Sequence, residues 1–215
     1  MDNNLSIPLD EYFPQHLREV VEFRTSLSHE TDRGCALMVA SLLDKKLEDL
    51  LRASFVDDSK AIDEILSQSG SLGTFSSRID AAYLFGLIGP NIRRDLHLIR
   101  KIRNLFGHHH LPLSFDDDRI ANRCAELYHH TLNVKESSRK VFIRTTVSIL
   151  TTLNVDIIQA EHATAGRDLY DTDDFRQKYR AQIEEMRETV DQMPDQEKQK
   201  VLDSFFQILN REDNA

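Results

Sequence analysis

Glycine, proline and cysteine are scarce in this chain of 215 residues, which contains seven, five and two of them, respectively. Because turn-forming residues are few and apolar residues recur at intervals of three and four, the sequence predicts an all-α protein. Cys35 and Cys124 lie in apolar helical patterns and have no CxxC spacing. They are therefore predicted to be buried, reduced thiols.

Several motifs that would indicate a specific activity are absent. The chain has no GxxxxGK[ST], GxGxxG, GxSxG or HExxH pattern, so it shows no nucleotide-binding loop or hydrolase elbow. No stretch favours a helix-turn-helix recognition helix over a buried amphipathic helix. A formal net charge of −9 argues against a free-standing DNA-binding protein, because the chain as a whole repels polyanions.

Long apolar runs are lacking as well. The most apolar stretch, residues 141–153, is interrupted by Arg144 and several threonines and is too short to cross a bilayer. The first residues are polar and acidic, without the basic and apolar regions of an export signal. The sequence therefore predicts a cytoplasmic protein that does not associate with membranes.

The residues that are present divide into a mixed-charge part and an acidic end. Residues 1–150 carry 19 Lys and Arg against 21 Asp and Glu, whereas residues 151–215 carry 8 against 15. We predict a multi-helix bundle as the core domain over residues 1–165, and an acidic C-terminal helical hairpin over residues 166–215 that breaks at Pro194. The core helices are predicted at approximately residues 12–27, 32–55, 59–67, 91–106, 115–130 and 136–162. A further helix, between the third and the fourth of these, is predicted to begin at a cap formed by Thr74 or Ser76 and to end at a break at Gly89.

The hairpin carries narrow apolar seams on otherwise charged helices. Such seams predict docking, either on the core of the same chain or on a protein partner. The first seam consists of Phe175, Tyr179, Ile183, Met186 and Val190, and the second of Val201, Leu202, Phe205 and Leu209. In the core, residues 136–162 have a composition that would also suit strands, but their apolar spacing favours a helix.

The one clear basic segment lies at residues 92–108. It holds five cations against the single acid Asp95, namely Arg93, Arg94, Arg100, Lys101 and Arg103. The first four of these cations are candidate contacts to a nucleic acid. The helix that carries them is predicted to end with Gly107 as a C′ residue at positive φ.

Arg103 differs from the other cations in its position on the helix. On a helical wheel it falls about 20° from Ile92, on the apolar side. A buried guanidinium needs hydrogen-bonding partners, so Arg103 is predicted either to tie helix ends together or to bind a ligand. In the second case Arg103 holds a phosphodiester and His108 moves a proton, and two such helix ends facing each other in a homodimer form a composite site.

Three consecutive histidines, residues 108–110, do not predict a metal site. Adjacent side chains point in different directions, and no carboxylate or cysteine stands at a familiar ligand spacing. Histidines at a helix C-terminus interact favourably with the helix dipole, which is the simpler explanation here and at His129 and His130. No metal and no cofactor is predicted.

Residues 72–109 form a continuous block, LGTFSSRIDAAYLFGLIGPNIRRDLHLIRKIRNLFGHH. This block resembles the signature of the mannitol operon repressor family of bacterial proteins, and a looser likeness extends over residues 32–153. The resemblance implies a cytoplasmic, all-helical transcriptional regulator of sugar-alcohol uptake genes. Because the net charge argues against DNA recognition by a single chain, we expect repression to act through a protein partner or through a dimer that gathers the basic surfaces.

A shorter stretch, RNLFGH at residues 103–108, is similar to the Arg-x4-His element of HEPN helical domains, some of which are ribonucleases. That resemblance implies catalytic roles for Arg103 and His108, with Asn104 as a polar neighbour. Three hypotheses follow from the sequence. The favoured one is a non-enzymatic, dimeric regulator, and the alternatives are a metal-independent ribonuclease and an interaction module that works through the acidic helices.

Overall fold

The computed structural model describes residues 15–108, 113–128, 136–166 and 173–212. All regular elements within these ranges are α-helices, which confirms the predicted fold class. The chain divides into two compact units, Met1–Thr164 and Ala165–Ala215, and the independence of the two as domains stays a prediction. The first unit contains α1 (Gln15–Ser28), α2 (Asp32–Ser54), α3 (Ser59–Leu66), α4 (Phe75–Leu84), α5 (Pro90–His108), α6 (Asp118–Ala125) and α7 (Ser138–Gln159), and the second contains α8 (Asp173–Asp191) and α9 (Asp195–Glu212).

Side-chain caps set where several helices begin. Thr31, Asp58 and Asp117 precede α2, α3 and α6, and each accepts a hydrogen bond from a backbone N–H of the first turn. Thr74 and Ser77 form a reciprocal capping box at the start of α4. These contacts satisfy donors that the first turn of a helix leaves open, so the boundaries are encoded locally.

Helix α4 ends earlier than the sequence pattern predicts. The Leu87 N–H donates to the Ala82 carbonyl at 2.8 Å, and the Gly86 N–H donates to the Tyr83 carbonyl at 3.0 Å. This pair of bonds is a Schellman motif, which favours a glycine in the left-handed region, and Gly86 has a φ of 75°. The motif terminates the helix before the Gly89 break and leaves its last residues facing solvent.

Helix α5 shows the opposite deviation, because it continues through Gly107 to His108. Among the residues that the structure describes, Gly86 alone has a positive φ, so the prediction of Gly107 as a C′ residue is wrong. Glycine permits the left-handed conformation but does not impose it. The other two histidines of the triplet, and His129 and His130, lie outside the described residues.

The core of the first unit forms where α2, α5 and α7 pack together, with α4 against α2 and α5. Three aromatic rings join at its end: Phe115 lies 5.2 Å from Phe106 and 5.0 Å from Phe142, measured between ring centroids. Both cysteines are buried in this core, as predicted. Burial raises the pKa of Cys35 to about 11 and that of Cys124 to about 12, so both thiols stay protonated at neutral pH.

Helix α7 confirms the helical interpretation of residues 136–162. Its length and apolar composition alone would allow it to cross a membrane. However, Phe142, Ile149 and Leu153 are completely buried in the unit, and Thr146 satisfies its hydroxyl by donating to the Phe142 carbonyl at 2.9 Å. These features are typical of the core helix of a helical bundle.

Arg139 joins the ends of three helices. Its guanidinium pairs with the Asp32 carboxylate at the start of α2 and donates to the Leu27 carbonyl near the end of α1, at 2.8 Å. The second oxygen of Asp32 accepts the Phe115 N–H at 2.9 Å. An arginine that ties helix ends together, one of the roles predicted for Arg103, is therefore present at a different position.

Candidate functional site

Arg103 is half-buried at the edge of the apolar face of α5. Within the described part of the chain, its guanidinium makes no hydrogen bond and no ion pair. Arg103 is thus only partly buried, and the hydrogen-bonding partners predicted for it are not found within the described residues. A wheel assigns a residue to a face of its own helix, whereas a long arginine at the edge of that face extends past its apolar neighbours towards water.

The residues of the ribonuclease hypothesis project to different sides of α5. A helix rotates by about 100° per residue, so Arg103 and His108 project about 140° apart around the axis of α5. Asn104 is half-buried, and His108 is exposed in the last turn. The catalytic roles of Arg103 and His108 stay a prediction.

The buried cation of the described core is Arg78, which is 8% exposed. Its Nη1 lies 2.8 Å from Asp44, and its Nη2 lies 3.1 Å from Glu48 and donates to the Leu66 carbonyl at 2.9 Å. Partial burial raises the pKa of Glu48, but the hydrogen bond from Lys45 and the neighbouring cations outweigh it and lower that pKa. This network links α2, α3 and α4 and compensates the buried charge.

A basic surface, formed by Arg93, Arg94, His97, Arg100 and Lys101, lies on the side of α5 that faces away from the core. The five side chains follow one another at helical spacing, so that they form a continuous stripe. They line a shallow groove of about 620 Å³, to which Ser76 and Asp80 of α4 and Glu126 also contribute. All four cations that the sequence singles out as nucleic-acid contacts are thus brought together.

Asp80 neutralises one end of the basic surface. Its Oδ1 accepts hydrogen bonds from Arg93 Nε at 3.0 Å and Nη2 at 2.7 Å, and it lies 3.1 Å from His97 Nε2. Chiefly the Arg93 hydrogen bonds, and further the His97 contact, hold the pKa of Asp80 below its usual value. The sequence offers one signal of this cluster, the i, i+4 spacing of Arg93 and His97, but the acid on the preceding helix is not predicted.

The other cations of the basic surface are less compensated. Arg94 and Lys101 are exposed, and neither has a hydrogen bond or a carboxylate partner within the described residues. The Nε of Arg100 is buried and makes no hydrogen bond there. Positive charge therefore remains available to an anionic ligand at Arg94, Arg100 and Lys101.

A second groove, termed the apolar groove, lies between α3 and α4 and has a volume of about 850 Å³. Leu84 and Phe85 form one wall and are 80% and 63% exposed. The ring of Phe85 meets that of Phe55 edge-on, with 5.7 Å between centroids. The lining is completed by Val56, Asp58, Ala61, Ile62, Ile65, Ser71, Leu72, Ser77, Asp80 and Ala81. The groove is not predicted from the sequence, because its wall depends on the early end of α4.

The second unit has its own exposed apolar seam. No residue of α8 is buried, and Tyr179 and Met186 are 56% and 58% exposed. In the second seam Val201 is 42% exposed, and the side chains of Leu202, Phe205 and Leu209 lie outside the described part of the structure. Docking of these helices on a protein partner stays a prediction.

The first unit is an all-helical scaffold that presents open binding surfaces, and the described residues contain no group of His, Cys, Asp and Glu that could hold a metal ion. Residues 25–141 match the family model described as mannitol repressor. Because the match covers more than half of the sequence, the chain belongs to the mannitol repressor family, which confirms the resemblance seen in residues 72–109.

The fold of the chain is also found in a solved structure. The X-ray structure of the MtlR-HPr complex from Escherichia coli contains a chain that is 21% identical and superposes with a TM-score of 0.55. The similarity covers 67% of the present chain and 99% of that chain. No curated protein matches the sequence at a significant level.

Proposed function

We propose that this protein is a transcriptional regulator of the mannitol-repressor type that acts by binding a protein partner, and that the partner is HPr or a protein of the same kind. Membership of the mannitol repressor family supports the regulatory role. The observation that carries the partner is that a protein with the same helical fold, almost all of which is matched by this chain, was solved in complex with HPr.

Regulation of this kind requires binding and no chemistry. A protein that binds one state of a partner shifts the population of that state by mass action, and the effect is reciprocal. The open surfaces of the first unit suit this role better than catalysis, since Arg103 and His108 diverge on α5. We place the protein in the cytoplasm, where a regulator of transcription acts.

Isothermal titration calorimetry of the full chain with purified HPr tests the proposal. We expect saturable binding with a simple stoichiometry, and we expect deletion of the gene to raise expression of sugar-alcohol uptake genes in the host. Absence of any heat of binding at two well-separated temperatures and at the highest soluble concentrations, together with unchanged expression, would rule the proposal out.

Direct contact with DNA is a second candidate function, and the uncompensated charge of Arg94 and Lys101 favours it. In a homodimer this basic surface would be present twice, which would offset the net charge of −9 locally. The salt dependence of binding to duplex DNA tests this candidate, because each neutralised phosphate adds to the slope. Binding that does not respond to salt would exclude it.

A further inference from the structure

We infer that the protein partner docks in the apolar groove, and that it does so with an apolar ridge flanked by lysine or arginine side chains. The existence of the partner rests on the proposed function. The docking surface and the chemistry of the partner's matching surface are argued from the groove itself.

The first argument is the exposure of large apolar side chains at the groove. Leu84 and Phe85 are adjacent and largely exposed, and Val56 and Ile65 add 38% and 40% exposed side chains on the opposite wall. Removing large apolar side chains from water is favourable, so several of them left together in water favour association with another apolar surface. Contiguous exposed apolar patches on soluble proteins mark sites of interaction.

The second argument is that the groove is held in one shape. The Schellman motif at Gly86 fixes the direction in which Leu84 and Phe85 leave α4. Behind the groove, Arg78 joins α4 to the last turn of α3 through the Leu66 carbonyl. A preformed surface loses little conformational entropy on binding, so these restraints favour association.

The third argument is the charge around the groove. Residues 55–65 carry four acids against Lys60. Of these acids, Asp57 and Glu64 are exposed, and their carboxylates have no partner within the described residues. Asp58 lines the groove itself and caps α3. A partner with cations beside its apolar ridge gains favourable encounters with this rim, and a nucleic acid is repelled by it.

The same charges argue against a second copy of this chain as the occupant. A two-fold interface places the same patch of both subunits face to face. Asp57 and Glu64 of one copy would then approach the acidic rim of the other, and such like-charge contacts are unfavourable. A partner of opposite charge avoids this repulsion.

The decisive variant is Leu84→Asp in the full chain, titrated with HPr as the probe. Leu84 is 80% exposed, so its replacement does not disturb the core. We expect the affinity to fall by at least about tenfold, as for a central contact of an interface. Ile158→Asp is the matched control, because Ile158 is a 64% exposed aliphatic residue of α7 outside the groove, and its affinity should match the wild type.

Asp57→Lys tests the electrostatic part of the inference. This change reverses a charge on the rim without removing a hydrogen bond of the described structure. We expect weaker binding of HPr and a flatter dependence of the affinity on salt. Amide hydrogen exchange of the wild type should show new protection at residues 55–65 and 84–87 when HPr is added.

Each alternative result is distinct. If the wild type does not bind HPr, the proposed function fails, and the inference fails with it. If the wild type binds and Leu84→Asp binds equally well, or if protection appears at residues 93–101 instead, the inference alone is overturned. If light scattering shows a dimer that Leu84→Asp converts to a monomer, a second copy occupies the groove, which also overturns it.

Discussion

The apolar groove and the basic surface meet at Asp80, which lines both, but they differ in the charge of their lining residues. The groove is apolar in its lining and acidic at its rim, whereas the basic surface consists of cations along a helix. Apolar burial depends on shape and is not weakened by electrostatic screening, while a stripe of cations attracts any polyanion and is screened by salt. The two surfaces therefore suit different ligands and are separable by experiment.

Asp80 also marks the boundary between compensated and uncompensated charge. It pairs with Arg93, whose guanidinium in addition lies 4.9 Å from the centre of the Tyr83 ring. On the same helix, Arg94 and Lys101 are exposed without a partner in the described residues. A positive residue on this helix is therefore a candidate contact only where no neighbouring acid has already neutralised it.

The largest effect on the free energy of unfolding is expected at Arg78, which supports the apolar groove, in comparison with the exposed pair of Arg93 and Asp80 on the basic surface. Arg78→Ala leaves Asp44 and Glu48 without their buried cation, so the free energy of unfolding should fall by about 3 kcal/mol. Arg93→Ala removes the exposed pair with Asp80 and should cost less than about 1 kcal/mol. Urea denaturation measures both, and equal losses would contradict the distinction.

A charge reversal on the basic surface should separate the two surfaces by ligand. For the double variant Arg94→Glu and Lys101→Glu, we expect the slope of log K against log salt for duplex DNA to decrease by about 1.8 in magnitude, with HPr binding unchanged. Arg180→Glu with Lys200→Glu in the second unit is the control, because it makes the same change in net charge at exposed positions. An equal effect of both double variants on DNA binding would show that only net charge matters.

The sequence predicts those parts of the fold that local chemistry determines. The helix α2, the cap at Thr74 and the burial of Cys35 follow from apolar spacing and capping residues, and the structure confirms them. Contacts between helices are a different matter. The partners of Arg78 and the link from Asp80 to α5 depend on how neighbouring helices cross, which the periodicity of a single helix does not contain.

The errors have the same physical origin. Arg103 lies on the apolar side of its own helix, but the depth of the packing at that point is set by other elements, and the residue is half-buried. The exposure of Leu84 follows from the early end of α4. The two hydrogen bonds of the Schellman motif, donated by Gly86 and Leu87, terminate the helix at this residue. Such bonds compete with helix continuation by small free-energy differences, which the residue pattern alone does not resolve.

A smaller effect on stability is expected for Asp80, the carboxylate that lines both surfaces. The pKa of Asp80 is lowered in the folded protein, so its pairing stabilises the fold above the unfolded pKa of about 4 and loses this contribution as the pH falls through the folded pKa. The wild type should thus be more stable than Asp80→Asn near neutral pH, and the difference should vanish in acid. For Asp57→Asn, which removes no partner within the described residues, urea denaturation should show no such trend.

The smallest effect is expected at the end of α5, beyond both surfaces. His108 is exposed in the last turn and diverges from Arg103, so His108→Ala should change the free energy of unfolding by less than about 0.5 kcal/mol. With single-stranded RNA, neither the wild type nor the variant should cleave, because a regulator that works by binding has no use for a proton-transferring group at this position. RNA cleavage by the wild type that disappears in both His108→Ala and Arg103→Ala, with folding intact, would establish the ribonuclease function instead.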